Sequence, residues 1–280
     1  MSRPQKSYKN LEFLNSVSAR PIRILCEYEE PRQRFYHQDV RDTIVIFGSA
    51  RTLPGEVARE RLAEAEAAVE AGEADASAVR QAQIKVRMSR YYDEARELSR
   101  RLTQWSMDRS QGRKYLICTG GGPGIMEAGN RGAADVEGGR SVGLGISLPF
   151  EEQNNRWVTP ELSFEFHYFF TRKYWFMYLA KALVVFPGGF GTIDEMAELL
   201  TLRQTGKIRK VVPIVLYGTE YWDSIINLQA MVDWGTISQK DLDLFHRTDD
   251  VDDAFAYLTD ALEHGDRTGF GVFPEVKRPG

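Results

Sequence analysis

The residues best placed by type and spacing to do chemistry lie in one stretch, Pro187-Gly188-Gly189-Phe190-Gly191-Thr192-Ile193-Asp194-Glu195. Its three glycines leave the backbone bare, and a carboxylate follows the threonine at helical spacing. N–H groups that open a helix have no partner inside it, and the aligned peptide dipoles favour an anion there. Gly188, Gly189, Phe190, Gly191 and Thr192 therefore suit a phosphate. The same residues fit a purely structural purpose. Thr192 and Glu195 have the spacing of a capping box, in which each side chain satisfies a backbone donor. Glycines in a turn can also serve only to supply a positive φ.

The flanking elements favour a ligand. Ala182-Leu183-Val184-Val185-Phe186 is a continuous apolar run that suits a strand buried on both faces. From Thr192 onward Ile193, Met196, Leu199, Leu200 and Leu202 recur along one helical face. Strand, glycine turn and helix is the unit with which an open α/β sheet presents N–H groups to phosphate. Similar units recur. Asp42–Phe47 reads as the first strand, with exit turn Gly48-Ser49-Ala50-Arg51. Tyr115–Thr119 leads into Gly120–Gly124 and a helix from Ile125 to about Val136. Ser141–Ser147 exits through the turn at 148–152.

Leu162–Phe166, Val211–Leu216 and Leu244–Arg247 are further strand candidates, and Pro213 is unusual inside its run. Thr171–Leu179, Tyr221–Val232 and Val251–Leu262 read as helices. Pro21–Glu30 fits either a short helix or an edge segment. Strands alternating with helices imply an α/β fold with a doubly wound parallel sheet. The interval between the first two strands far exceeds what one crossover needs. Its surplus, at about 56–110, reads as an inserted helix (Glu56–Glu70) followed by the crossover helix (Ala78–Met107). The domain reading is an N-terminal extension at 1–41, one Rossmann-like α/β domain at 42–262 and a polar tail at 263–280.

Composition narrows the function. With 36 Lys+Arg against 40 Asp+Glu the formal charge is −4, which argues against a nucleic-acid binder needing a basic face. No apolar run approaches the ~18 residues of a membrane span, and the N-terminus has no apolar core of a secretory signal. Cys26 and Cys118 are too few for a disulfide framework. His37, His167, His246 and His264 lack metal-ligand spacing. A cytoplasmic protein without metal or cofactor is expected.

Right-handed crossovers put the exit turns at 48–51, 120–124, 148–152 and 187–192 along one sheet edge, where ligands bind. Gly121 and Gly122, with Gly48 and Ser49, join Gly188–Thr192 as candidate ligand contacts. No G-x-G-x-x-G follows the first strand, and no glycine turn ends in Lys-Ser or Lys-Thr. A mononucleotide or sugar phosphate fits better than NAD or ATP.

These motifs resemble a family. Pro187–Glu195 matches the P-G-G-x-G-T-x-x-E signature of the LOG (LONELY GUY) proteins, often mislabelled as lysine decarboxylases. Arg172-Lys173 matches that family's Arg-Lys pair, and Gly120-Gly121-Gly122 with Gly124 its other glycine turn. The likeness runs from about Ala19 to Leu262. It implies a Rossmann-like fold and a phosphoribohydrolase that cleaves a purine nucleoside 5′-monophosphate to base and ribose 5-phosphate. It also implies catalytic roles for Arg172 and Glu195, a binding role for Lys173, and a homo-oligomer. Short cytokinin-activating members usually carry Met-His ahead of that arginine, where this chain has Phe169-Phe170-Thr171. The long insertion and N-terminal extension are similar to those of longer bacterial-type members, which leaves the choice between adenine and N6-prenyladenine nucleotides open.

In such a reaction positive charge develops on the ribose. Glu195 would stabilise it or deprotonate the attacking water, while a bound phosphate orients the sugar. Arg172 would neutralise the phosphate or assist the departing base. Glu127 and Asn130, on the second glycine-started helix, are weaker candidates than Ser49 and Arg51 at a strand exit. Two other readings compete: a nucleotide carrier or sensor without turnover, and a decarboxylase using Lys173 or Lys181. The aromatic run Phe164 to Trp175 suits core or interface. The 171–179 helix, apolar nearly all round, is expected to be buried on every side, partly by another subunit.

Overall fold

The computed structural model describes residues 4–148, 154–208 and 212–264. Its centre is a seven-stranded sheet. The strands are β1 (Thr43–Phe47), β2 (Leu116–Thr119), β3 (Ser141–Ile146), β4 (Ser163–Phe166), β5 (Ala180–Val185), β6 (Ile214–Tyr217) and β7 (His246–Thr248). Their spatial order is β4-β3-β2-β1-β5-β6-β7, and every neighbouring pair is parallel. The chain winds outward from β1 to β4, then returns to lay β5 on the other side of β1. The strand order reverses between β1 and β5, so a crevice opens outside their carboxyl ends. This is the Rossmann-like, doubly wound α/β arrangement expected from the alternation of strands and helices.

Burial on both faces explains why the central strands lack a polar alternation. Ile44 and Ile46 of β1 join Ala182 and Val184 of β5 in one core. Val45 and Phe47 join Leu183 and Val185 in the other. The first core is covered by α4 (Ala76–Ser110), α5 (Ile125–Ala134) and α10 (Val251–His264), through residues such as Leu98, Ala128 and Leu258. The second is covered by α2 (Arg20–His37), α6 (Phe169–Leu179) and α7 (Phe190–Gln204), through Phe35, Phe176 and Leu199. Between the first two strands, α3 (Gly55–Glu70) lies against α4 and buries only Gly55 and Ala58. It is α4 that packs on the sheet, with Tyr91, Ala95 and Leu102 inward. The remaining helices are α1 (Leu11–Asn15), α8 (Thr219–Ile225) and α9 (Leu228–Asp233).

Several boundaries differ from expectation for local reasons. The ambiguous 21–30 segment lies in an 18-residue helix that continues through Pro31. The expected 221–232 helix is two helices. Ile226 is extended, and Asn227 caps the second by accepting the Ala230 N–H at 2.9 Å. Pro213 precedes β6 rather than interrupting it, and residue 211 lies outside the described residues. Residues 239–244 form a 3-10 helix closed by a Ser238–Asp241 capping box, which delays β7 to His246. Of the expected exit turn at 148–152 only Leu148 is described, and of the 263–280 tail only Glu263 and His264, which belong to α10.

Helix α6 is only partly covered within the single chain. Trp175, Phe176, Met177 and Leu179 are buried, but Phe169, Phe170 and Tyr174 are 51%, 49% and 40% exposed. One face of this aromatic helix is therefore open in the single chain. No helix among the described residues is long and apolar enough to cross a membrane.

Candidate active site

Three exit turns meet at the crevice, stitched by their backbones. The Phe186 N–H donates to the Phe47 carbonyl at 2.8 Å, and the Ser49 N–H to the Pro187 carbonyl at 2.9 Å. The Ile125 N–H reaches the Ser49 carbonyl at 3.1 Å. Such close approach needs glycine. A Cβ on Gly48 would lie 2.6 Å from the Ile125 side chain, and one on Gly124 would collide with the Ser49 carbonyl. The Ser49 hydroxyl accepts the Arg51 N–H at 3.1 Å, which fixes the turn that carries both.

The turn holding Gly121 and Gly122 is supported from below by asparagines. The Asn155 amide lies 2.9 and 3.0 Å from their carbonyls and 2.9 Å from Asn130 Oδ1. Asn130 is fully buried, accepts the Thr119 hydroxyl at 2.7 Å and donates to Ser141 at 3.0 Å. It faces the framework, not the crevice. Glu127 likewise turns to α4, where it accepts the Tyr92 hydroxyl at 2.9 Å.

The turn at 187–192 is built differently. Gly188 is buried under Thr192, and its carbonyl accepts the Tyr221 hydroxyl at 2.6 Å. A Cβ on Gly189 or Gly191 would meet no described atom within 4 Å. Gly189 is the N-cap and α7 begins at Phe190, whose ring is 94% exposed. The N–H groups of Phe190 and Gly191 thus open the helix beneath an uncovered surface, the geometry that binds anions.

Helix α7 begins two residues earlier than the sequence suggested, which removes the capping-box reading. Thr192 is its third residue, and its N–H donates to the Gly189 carbonyl at 3.0 Å. Glu195 falls in the second turn, too deep to cap, and is only 3% exposed. Its Oε2 has no hydrogen-bond partner among the described residues. Burial is the main cause that pushes its carboxyl up to about 7. Lys173 and Arg172 pull the other way, and Glu198 and Asp194 add to the rise. A carboxyl near half-ionisation at neutral pH, with a bare oxygen, is suited to take or give a proton.

The two cations come from α6. Lys173 Nζ sits 2.8 Å from Asp194, 2.9 Å from Glu198 and 4.0 Å from Glu195 Oε2. Burial lowers its affinity for the proton, but those carboxylates outweigh it and hold the ammonium above its ordinary range. Arg172 lies with its guanidinium over the rings of Phe169 and Phe176, at 5.3 and 5.5 Å. The structure thus brings Arg172, Lys173 and Glu195 together behind the 187–192 turn, and places Gly48, Ser49, Gly121 and Gly122 on the adjoining turns of the same edge. Sequence reasoning missed Asn155, whose amide reaches both Gly121 and Gly122 carbonyls, and Tyr221, which bonds the Gly188 carbonyl. The Asn154-Asn155 doublet was the one available signal.

A parallel sheet with glycine-bearing helix starts at its switch point defines a Rossmann-like, doubly wound protein. Residues 126–258 match the family model described as "Possible lysine decarboxylase". The matched residues include Arg172, Lys173, Gly188–Thr192 and Glu195. It is also similar to the pyrimidine/purine nucleotide 5′-monophosphate nucleosidases of Escherichia coli strains K12, O6:H1 and O157:H7. Identity to each is 30% over 119 residues, covering 38% of this chain. The match spans 25% of the length of those relatives.

Proposed function

We propose that this protein hydrolyses the N-glycosidic bond of a nucleoside 5′-monophosphate, releasing the free base and ribose 5-phosphate. The observation that carries the reading is the buried, unpartnered Glu195 oxygen one turn behind an open glycine helix start. The phosphate sits on the N–H groups of 189–191, and the ribose lies over Glu195. The C1′–N bond breaks with its electron pair leaving on the base. The water oxygen bonds to C1′, its proton passes to Glu195, and the base takes up a proton as it departs. Arg172 neutralises the phosphate or the departing base. Lys173 holds the acidic face of α7 in place from beneath.

The substrate we favour is a purine nucleotide, adenine or N6-substituted adenine, as the LOG resemblance implies. The name of the E. coli relatives adds pyrimidine nucleotides to the candidates. The decarboxylase reading receives no support from the lysines. A Schiff base needs a neutral amine, whereas Lys173 is held charged by carboxylates and Lys181 lies 3.5 Å from Asp42.

We also propose that the protein works as a homo-oligomer, with the exposed aromatic face of α6 at the interface. The test of function is incubation with AMP, N6-prenyl AMP, CMP and UMP, with chromatographic detection of free base. Release from at least one supports the reading and ranks the bases. Tight binding of all four with no base released would favour the carrier.

A further inference from the structure

Helix α6 carries Arg172 in its first turn, yet it has no cap of its own. Tyr168 stands at the N-cap without a side-chain bond to the helix, and that turn has no acidic residue. The acceptors come instead from α2, 140 residues earlier in the chain. Glu27 Oε1 accepts the His167 N–H at 2.8 Å, and Oε2 accepts the Tyr168 N–H at 3.3 Å. The Thr171 hydroxyl also reaches Oε2. Thr171 is fully buried and directly precedes Arg172. One carboxylate thus gathers three donors from the five residues leading to the arginine, and its negative charge faces the positive end of the helix dipole.

The rest of α2 holds the same helix by other means. The Trp175 indole donates to the Glu27 backbone carbonyl at 2.9 Å. Phe35 packs on Trp175 with ring centroids 5.4 Å apart, and Tyr28 meets Tyr174 edge-on at 5.1 Å. These contacts do not need the Glu27 side chain. The carboxylate is therefore separable from the packing, and its particular task is the first turn.

We infer that Glu27 is a positioning residue for the reaction: it fixes the opening turn of α6 so that Arg172 is presented to the crevice. The inference rests on the proposed role of Arg172 in turnover. Neither glutamine nor alanine replaces a carboxylate here: the His167 and Tyr168 N–H groups use both carboxylate oxygens and glutamine offers one, while the Thr171 hydroxyl can also turn to the Tyr168 carbonyl at 2.7 Å.

The experiment uses the full chain carrying Glu27→Ala or Glu27→Gln, each alone and combined with Arg172→Ala. Base release from AMP and amide hydrogen exchange at 167–172 are measured on each. Glu27→Ala is expected to accelerate exchange there and lower kcat/KM by roughly 10- to 100-fold, the factor for losing a charge-assisted hydrogen bond. Glu27→Gln should fall between alanine and wild type. In the Arg172→Ala background, removing Glu27 should change turnover less than twofold, since it acts through that arginine. Unchanged exchange in Glu27→Ala, or unchanged kcat/KM despite faster exchange, overturns the inference. Losses that multiply in the double variant overturn the positioning role alone. An Arg172→Ala variant as active as wild type overturns the reading of Arg172 and, with it, any role of Glu27 through it.

Discussion

Two glycine turns open two helices at the same sheet edge, and they are built to opposite ends. At 120–124 space is filled. Gly121 has φ +74°, a Cβ there would run into Asn154, and one on Gly124 would strike the backbone of Ser49. Asn155 meets the Gly121 and Gly122 carbonyls and is itself bonded to the buried Asn130. At 187–192 only Gly188 is enclosed, while Gly189 and Gly191 look onto open space. Behind that turn Glu195 Oε2 has no hydrogen-bond partner among the described residues, and the Lys173 ammonium stands 4.0 Å away. The difference teaches that a run of glycines does not itself mark a ligand site. Packing requires glycine at Gly121 and Gly124 of the first turn and at Gly188 of the second, whereas no described neighbour requires it at Gly189 or Gly191. A buried carboxyl oxygen that makes no hydrogen bond costs stability, and such costs are tolerated where function uses them.

The strongest test of this contrast is Glu195→Gln, which keeps the volume and removes the base. Turnover is expected to fall ~10²–10⁴-fold, or about 3–5 kcal/mol of barrier, while nucleotide binding survives. Steady-state assay beside equilibrium dialysis with AMP checks both. Near-normal turnover would leave the open turn as a binding device only.

A matched pair of glycine variants tests the turns themselves. Gly121→Val should lower stability by about 2–5 kcal/mol, combining a strained positive φ with a clash against Asn154. Gly189→Val should leave the fold within ~1 kcal/mol, because its φ of −86° suits any residue and no described atom stands in the way. It should instead weaken AMP far more than free adenine, since the side chain occupies the phosphate position. Denaturant titration and ligand titration on the two proteins measure this. Equal behaviour of the pair would erase the distinction.

Acidity offers a third probe, present only behind the open turn. The Glu195 carboxyl rises from an ordinary 4.5 to about 7 in the folded chain, chiefly through burial. The folded state then holds a proton that the unfolded state has released, so stability is highest below pH ~4.5 and falls as pH rises towards ~7. The loss from this group is at most about 3 kcal/mol. Glu195→Gln should remove that slope, so the variant melts higher than wild type at pH 8 and nearly equal to it at pH 5. Calorimetry across this range decides it. Turnover should run the other way, rising through pH ~7 as the base ionises.

Much of this arrangement was legible in the sequence. Continuous apolar runs such as Thr43–Phe47 marked doubly buried strands, and their alternation with helices required a parallel sheet. The glycine turns then had to fall on one edge. What periodicity could not reveal was which glycines were filled. Gly121 and Gly189 look alike in sequence, and only the distant Asn154 separates them. The capping-box reading failed because Phe190 and Gly191 are already helical, a shift of two residues that turns Glu195 from a cap into a buried acid. Glu27 left no local sign, since its partners are backbone groups far along the chain.

The smallest expected effect on the fold concerns the aromatic face beside the open turn. Trp175 was the natural residue to alter from the sequence, but it is buried against Phe35 and bonded to Glu27, so charging it would damage the single chain. Phe170 and Tyr174 are the better choice. Both line a cavity of about 310 Å³ with Met177, Tyr178, Glu198 and Leu202, between α6 and α7. Half-exposed aromatics clustered on one helix are the usual anchors of a protein interface. Phe170→Ser should change stability by less than ~0.5 kcal/mol, and Tyr174→Ser by roughly 1 kcal/mol, because Tyr174 also meets the rings of Tyr28, Trp175 and Tyr178. If a second copy covers this face, Phe170→Ser with Tyr174→Ser should lower the mass measured by light scattering. Turnover should drop with it, since Phe169 of the same exposed face lies under the Arg172 guanidinium. A wild type that is monomeric at micromolar concentration would sink the interface proposal, and it would leave the contrast between the two glycine turns intact.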